Sequence, residues 1–112
     1  IVFKDKPKMT LLLNQGANPN VRGRGGNSIV PLIYINTTYY SGYTLEEALE
    51  YTQLLLSKNA NPDVRMINGD TPLMQAVRSN NVLVVQAHLE AKADPNLANN
   101  DRQTALHIAE ER

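Results

Sequence analysis

The chain has 112 residues, enough for one compact domain, and its 11 basic residues equal its 11 acidic residues, which argues against a dedicated nucleic-acid binder. It has no Cys, which excludes disulfides and cysteine-based zinc sites and fits a reducing, intracellular compartment such as the cytoplasm. Its longest apolar runs, such as residues 82–85, are far too short to cross a bilayer, so we expect no membrane insertion.

One short pattern occurs three times along the chain. An Ala, an Asn or Asp, and a Pro follow an apolar run at residues 17–19, 60–62 and 93–95. The last two copies are 33 residues apart and the first two are 43 apart, so one unit has ten extra residues. We therefore predict a single repeat domain over residues 1–112, with a partial unit (1–20), an enlarged unit (21–63), a regular unit (64–96) and a second partial unit (97–112).

Helix-start signals place the first predicted helices. Thr44 and Glu47 form the Thr-x-x-Glu pattern of a capping box, which predicts a helix over residues 45–57 in the enlarged unit. Thr71 followed by Pro72 predicts the start of the first helix in the regular unit. The same first-helix position recurs as Val-Pro-Leu at residues 30–32 and as Thr-Ala-Leu at residues 104–106.

A second helix of the regular unit is expected after the polar break at residues 79–81. Val82, Val85 and Leu89 are predicted to line its apolar face, because they recur at helical spacing. Lys92 occupies the turn that ends this helix, where a left-handed backbone favours Gly or Asn. We therefore expect mild strain at Lys92.

These repeated segments resemble the ankyrin repeats. Residues 68–76 (NGDTPLMQA) resemble the family signature Gly-x-Thr-Pro-Leu-His-x-Ala, and residues 104–109 (TALHIA) repeat it with the His present. The 33-residue period and the Ala-Asn-Pro segments also match. The resemblance implies an all-α solenoid of stacked helix-turn-helix units with protruding β-turn or hairpin fingers. It also implies a module that binds other proteins.

Few residues in this sequence suggest chemistry. His107, in the Thr-x-x-His position of the family, is expected to hydrogen-bond within its own helical turn, and His88 to be a partly buried helix residue. Neither has partners at metal-ligand spacing, and no nucleophile motif occurs. The glycine-rich run at residues 23–26 lacks the spacing of a phosphate-binding loop, so we interpret it as a flexible finger tip. We expect no enzyme activity, no metal and no cofactor.

By the resemblance, a partner protein binds the concave face formed by the fingers and the first helices. The matching finger and helix positions are Arg22, Arg24, Arg65, Met66, Ile67, Asn68, Asp70, Arg78, Asn100 and Asp101. The arginines are expected to steer an acidic partner segment, with solvated charges of no further role as the alternative. Met66 and Ile67 are either apolar anchors for the partner or residues that pack on a neighbouring finger.

The tyrosines of the enlarged unit are a further candidate contact. Tyr39 and Tyr40 are predicted at the end of the unit farthest from the fingers, either in an interface or covering lengthened helices. The interpretation that we favour is a monomeric interaction module. The alternatives are a structural spacer, or a region that regulates or targets an enzyme whose catalytic domain lies outside these residues, including a secreted bacterial effector.

We expect these residues to be part of a longer protein. The chain does not begin with Met, and it holds two full units between two partial ones. Leu106 and Ile108 are expected to need a following helix to cover them. The two end pieces either act as caps or adjoin further repeats, and we favour further repeats after Arg112.

Overall fold

The computed structural model describes residues 6–20, 44–66 and 68–111. In these ranges it forms five helices and no strand: α1 (Lys6–Asn14), α2 (Leu45–Ser57), α3 (Pro72–Arg78), α4 (Val82–Glu90) and α5 (Ala105–Glu110). The all-α class is confirmed, and the helix predicted over residues 45–57 is found with those bounds. None of these helices is long and apolar enough to span a membrane.

The helix starts have the predicted capping contacts. The Glu47 N–H donates to Thr44 Oγ1 at 3.1 Å, and the Thr44 N–H donates to Glu47 Oε1 at 2.9 Å, which confirms the capping box. At α3, Thr71 Oγ1 accepts from the Met74 N–H at 3.3 Å, and Pro72 occupies the first turn. These local contacts satisfy backbone donors that a helix start otherwise leaves without partners.

In the described ranges, the helices bury their apolar faces mainly against one another, in two clusters. The buried residues of the first cluster are Met9, Ala48, Tyr51, Leu55, Ala60, Ala76 and Val84. Those of the second cluster are Leu73, Met74, Ala105 and Ile108. Because no helix has a core of its own, the units depend on stacking, as in other repeat proteins.

The buried face of α4 differs from the predicted one. Val84 and His88 are fully buried, whereas Val82 is 70 % exposed and Leu89 is 44 % exposed. The prediction that Val82 and Leu89 line the packed face is wrong, and Val85 is only half-buried. The reason is that α4 packs against α2 and α3, so its buried stripe lies on that side.

The two apolar residues of α5 also behave differently from each other. Ile108 is fully buried in the second cluster, while Leu106 is 68 % exposed. The expectation that both need a further helix is therefore wrong for Ile108. Its packing partners already come from α3, which contacts α5.

Equivalent turns end three of the helices. Gly16, Asn59 and Lys92 all have a left-handed backbone, with φ of 93°, 67° and 69°. Lys lacks the conformational freedom of Gly, so the left-handed turn at Lys92 carries the strain that the sequence predicts.

Consecutive units are joined at these turns by one repeated hydrogen bond. The Asn61 N–H donates to Asn20 Oδ1 at 2.6 Å, and the Asp94 N–H donates to Asp63 Oδ1 at 2.9 Å. The paired residues are 41 apart in the first case and 31 apart in the second. The same joint therefore links units of different length.

Candidate interaction surface

Two hairpin-like loops precede the first helices of the last two units. We call them finger 1 (residues 64–70, before α3) and finger 2 (residues 97–103, before α5). In finger 1 the Met66 N–H donates to the Asp70 carbonyl oxygen at 2.8 Å, and the Gly69 N–H donates to the Met66 carbonyl oxygen at 2.9 Å. The same two bonds recur in finger 2, at 2.9 and 3.0 Å, among Asn99, Gln103 and Arg102. The finger geometry implied by the resemblance is thus present.

The two fingers are bonded to each other. The Asn100 N–H donates to the Asn68 carbonyl oxygen at 2.9 Å. Arg65 Nη1 donates to the carbonyl oxygens of Gly69 at 3.1 Å and Ala98 at 2.6 Å. The Arg65 side chain, predicted as a partner contact, therefore also braces the surface that it belongs to.

Gly69 is the point of closest approach between the fingers. Its φ is +84°, and a Cβ atom added there would lie 2.7 Å from the Asn100 side-chain oxygen and 2.8 Å from the Asn100 backbone nitrogen. Both the backbone conformation and the lack of space require glycine.

Asp70 holds the base of finger 1 from inside the protein. The residue is 1 % exposed, and its carboxylate accepts from Gln75 Nε2 at 2.9 Å, Arg78 Nε at 3.1 Å and Asn99 Nδ2 at 2.9 Å. The predicted partner contact at Asp70 does not fit this burial, because its oxygens are turned inward and occupied. The charge of Arg78 is compensated by the same carboxylate.

The Met66 side chain packs into the protein interior. It is half-buried, packs against the first apolar cluster, and its sulfur accepts from Gln75 Nε2 at 3.2 Å. Of its two predicted roles, packing is the one that the structure contains, although Met66 packs on the cluster rather than on a neighbouring finger.

Four of the predicted contact residues are exposed on the fingers: Arg65, Asn68, Asn100 and Asp101. Asn68 Oδ1 accepts from the Asp70 N–H at 2.9 Å, which orders the tip of finger 1. The remaining predicted contacts lie outside the described residues; they are Arg22, Arg24, Tyr39, Tyr40 and Ile67.

Both histidines have structural roles within the fold. The His107 Nδ1 accepts from the Thr104 N–H at 3.1 Å and lies 2.9 Å from Thr104 Oγ1, which confirms its predicted role in the helical turn. His88 is fully buried, with Nδ1 2.9 Å from the Val84 carbonyl oxygen, and its Nε2 has no hydrogen-bond partner in the part of the chain that the structure describes. Burial lowers the pKa of His88 below its usual 6.5, so the ring is neutral at pH 7. In the described ranges, no three His, Asp or Glu side chains could hold a metal ion together.

Asn81 lies in the polar segment that the sequence analysis predicts only as a break between two helices, but it makes two structural hydrogen bonds. It caps α4, with Oδ1 accepting from the Val84 N–H at 3.4 Å, and it donates from Nδ2 to the Leu45 carbonyl oxygen at 3.2 Å. The signal for the cap is present in the sequence, since an Asn directly before an apolar run is typical of a helix N-cap. The bond to the neighbouring unit has no such local signal.

Two-helix units stacked side by side and joined through hairpin fingers define a helical repeat protein. A family model described as ankyrin repeats (3 copies) matches residues 43–112, and the chain belongs to the ankyrin-repeat family. Ankyrin repeats are, in general, modules for protein–protein interaction.

One solved structure extends the comparison over nearly the whole chain. The fold is similar to the crystal structure of the ankyrin repeat domain of Bcl-3, described as a unique member of the IkappaB protein family, with a TM-score of 0.75 and 27 % sequence identity. The match covers 93 % of this chain and 42 % of that one, so the chain spans less than half the length of that relative. No curated protein matches the sequence.

Proposed function

We propose that the chain binds a segment of another protein along fingers 1 and 2 and the adjoining sides of α3 and α5. The observation that supports this is the pair of bonds between the fingers, from Asn100 to Asn68 and from Arg65 to Ala98. They hold the exposed finger side chains in one ordered surface. A surface that is ordered before binding loses less conformational entropy when a partner arrives.

The partner segment that fits the described fingers is polar. Asn68 and Asn100 are exposed amides, and an amide group offers both donors and acceptors. Asp101 adds an exposed negative charge and Arg65 an exposed positive one. Because Asp70 compensates Arg78, the acidic partner proposed from the sequence depends on the other predicted finger arginines, Arg22, Arg24 and Arg65.

Affinity capture with matched charge reversals tests the binding face. Asp101→Arg changes an exposed charge on finger 2, and Glu90→Arg makes the same change at an exposed position of α4, away from the fingers. We expect the wild-type chain and Glu90→Arg to capture the same partner. Asp101→Arg should capture at least about ten-fold less of that partner, because a repulsive contact between like charges, or the loss of a hydrogen bond, costs on the order of 1.4 kcal/mol or more of binding free energy. Equal capture by both variants would show that the partner binds elsewhere.

We also propose that the chain has no catalytic activity of its own and acts inside a cell. The support is that the two side chains best suited to acid–base chemistry have structural uses: His107 caps α5 and His88 lies in the core. Incubating the pure chain with the captured partner tests this, since any chemical change of the partner, detected by mass spectrometry, contradicts the proposal.

A further inference from the structure

Arg65 of finger 1 is an exposed arginine whose side chain is nevertheless held in place. Its Nη1 atom donates to the carbonyl oxygen of Gly69 at 3.1 Å and to that of Ala98 at 2.6 Å. Gly69 belongs to finger 1 and Ala98 to finger 2, so the guanidinium group lies where the two fingers meet. The two hydrogen bonds fix the orientation of a group that has many rotamers when it is free on a surface.

These two bonds leave most of the guanidinium donors available. A guanidinium group has five N–H donors, one on Nε and two on each Nη atom. Nη1 uses its two donors for the carbonyl oxygens. Among the residues that the structure describes, neither Nε nor Nη2 of Arg65 has a hydrogen-bond acceptor. The N–H groups of Nε and Nη2 are parallel along one edge of the plane, and that edge matches the two oxygens of one carboxylate.

The charge of Arg65 is not compensated by the described part of the chain, in contrast to that of Arg78. Arg78 Nε donates to the Asp70 carboxylate at 3.1 Å. Asp70 is 1 % exposed and its oxygens also accept from Gln75 and Asn99, so it is not available to Arg65. No carboxylate of the described residues forms an ion pair with Arg65. Its bonds are to neutral backbone atoms, which leave the full positive charge for a ligand.

We propose that Arg65 binds one carboxylate of the partner segment through Nε and Nη2, while Nη1 keeps its bonds to Gly69 and Ala98. The ligand is the side chain of an Asp or Glu residue in that segment. This contact rests on the proposed function, because it belongs to the finger surface assigned there. Charge-assisted bonds in a parallel pair are strong, and a guanidinium group that is oriented before binding loses less entropy when the ligand arrives.

A carboxylate fits this site better than a phosphate group. A phosphate group carries up to about two negative charges and is typically bound by a cluster of arginines. Within the described fingers, Arg65 offers one uncompensated edge, and the neighbouring finger carries the exposed carboxylate of Asp101. A single negative charge is therefore the better match for Arg65.

Asp101 also determines where along the fingers the acidic residue lies. It is exposed on finger 2, so it repels a second carboxylate and attracts a basic residue. The acidic residue of the partner therefore lies over finger 1, and a basic residue is favoured over finger 2. The partner segment carries charges of both signs in one fixed order along the surface.

Peptide selection on the immobilised 112-residue chain identifies the ligand. The probe is a phage library of random linear peptides. We expect the peptides selected by the wild-type chain to share an Asp or Glu residue at one position. These peptides should also bind Glu90→Arg, and they should bind Asp101→Arg more weakly, because their basic residue then meets a like charge.

A double-mutant cycle on one selected peptide tests the contact with Arg65. The shared Asp or Glu is changed to Asn or Gln, and isothermal titration calorimetry measures both peptides on the wild-type chain and on Arg65→Gln. On the wild-type chain, we expect the amide peptide to bind at least about ten-fold more weakly than the acidic one. On Arg65→Gln, the two peptides should bind equally, because each change removes the same contact. If Arg65 only braces the fingers, both peptides weaken by the same factor and the difference between them persists.

Arg102→Gln is the matched control. Arg102 is an exposed arginine of finger 2 whose side chain makes no hydrogen bond to the described residues, so its replacement should leave the ten-fold difference between the peptides intact. Circular dichroism checks that the variants keep their helices. Arg65→Lys replaces Arg65→Gln if that variant unfolds, and it should reduce the difference, because lysine has the charge without the parallel donors.

The outcomes separate this contact from the proposed function. Peptides that lose binding with Asp101→Arg and keep it with Glu90→Arg, but share no acidic residue, would overturn the Arg65 contact and leave the finger surface as the binding site. A ten-fold difference that persists on Arg65→Gln would overturn it in the same way. Peptides that bind Asp101→Arg and Glu90→Arg equally would contradict the proposed binding face and the Arg65 contact together.

Discussion

Asn99 donates a hydrogen bond of 2.9 Å from its Nδ2 to Asp70 Oδ1, and both residues are buried, at 7 % and 1 % exposure. The two residues are 29 positions apart and belong to different fingers. The bond lies beneath the surface that we propose for binding. A partner therefore meets side chains whose supporting layer is already fixed.

Removing the Asp70 carboxylate should destabilise this layer. Asp70→Ala removes a carboxylate acceptor of Asn99, Gln75 and the partly exposed Arg78, so we expect a loss of about 2–3 kcal/mol in the free energy of unfolding. Urea denaturation followed by circular dichroism measures the loss. Asp101→Ala removes an exposed carboxylate of the neighbouring finger and should change stability by no more than about 0.5 kcal/mol. Similar losses in the two variants would contradict the role assigned to Asp70.

Replacing Gly69 and Gly16 separately with alanine should distinguish the cost of backbone strain from the cost of a steric clash. Gly69→Ala forces a Cβ against Asn100 at a φ of +84°, whereas Gly16→Ala meets nothing within 4 Å at a φ of +93°. We expect Gly16→Ala to cost about 1 kcal/mol from the backbone alone, and Gly69→Ala to cost clearly more. The difference in midpoint urea concentration reports the contribution of the close approach. If Gly69→Ala is the milder change, the fingers are not packed as described.

Lys92 offers a stabilising change. Its left-handed backbone, with φ of 69°, favours Gly, so Lys92→Gly should raise the free energy of unfolding by up to about 1 kcal/mol. Lys58→Gly is the comparison, because Lys58 caps α2 with a φ of −105° and gains nothing from glycine. Thermal unfolding of both variants checks the prediction. A lower melting temperature for Lys92→Gly than for the wild-type chain would disprove the strain.

His88 should make stability depend on pH. Burial lowers the pKa of His88 in the folded chain below 6.5, so the unfolded chain binds more protons in the range between the two pKa values. The free energy of unfolding should therefore be highest above pH 6.5 and fall below it, by at most about 1.4 kcal/mol per pH unit from this one group. His88→Leu should remove this contribution and, because Nε2 has no partner, raise stability at pH 7 as well. Urea denaturation at several pH values between 5 and 8 compares the two chains, and equal slopes would rule out His88 as the source.

The parts of the fold that depend on nearby residues can be predicted from the sequence. The capping box of Thr44 and Glu47, the start of α3 at Thr71 and the left-handed turn at Lys92 each need only a few neighbouring positions, and all three are found. The 33-residue period adds the order of the units, because it shows which segments share one conformation.

The parts that depend on distant residues were beyond such prediction. Asp70 looks like an exposed finger residue until Asn99 and Arg78 are brought to it from other segments. Met66 finds its place in a cluster formed largely by α1, α2 and α4. The helix α4 is buried on the side of Val84 because α2 and α3 pack against that side. Helical spacing alone does not show which side of a helix its neighbours contact.

The joint from Asn20 to Asn61 and from Asp63 to Asp94 has a consequence for how such arrays change over time. Because one backbone donor and one side-chain acceptor make the link, ten additional residues in the sequence between them leave its chemistry unaltered. Insertions and deletions within one unit therefore leave its hydrogen bond to the adjacent unit unchanged. An array built on this joint can gain or lose length in one repeat without compensating substitutions in the next.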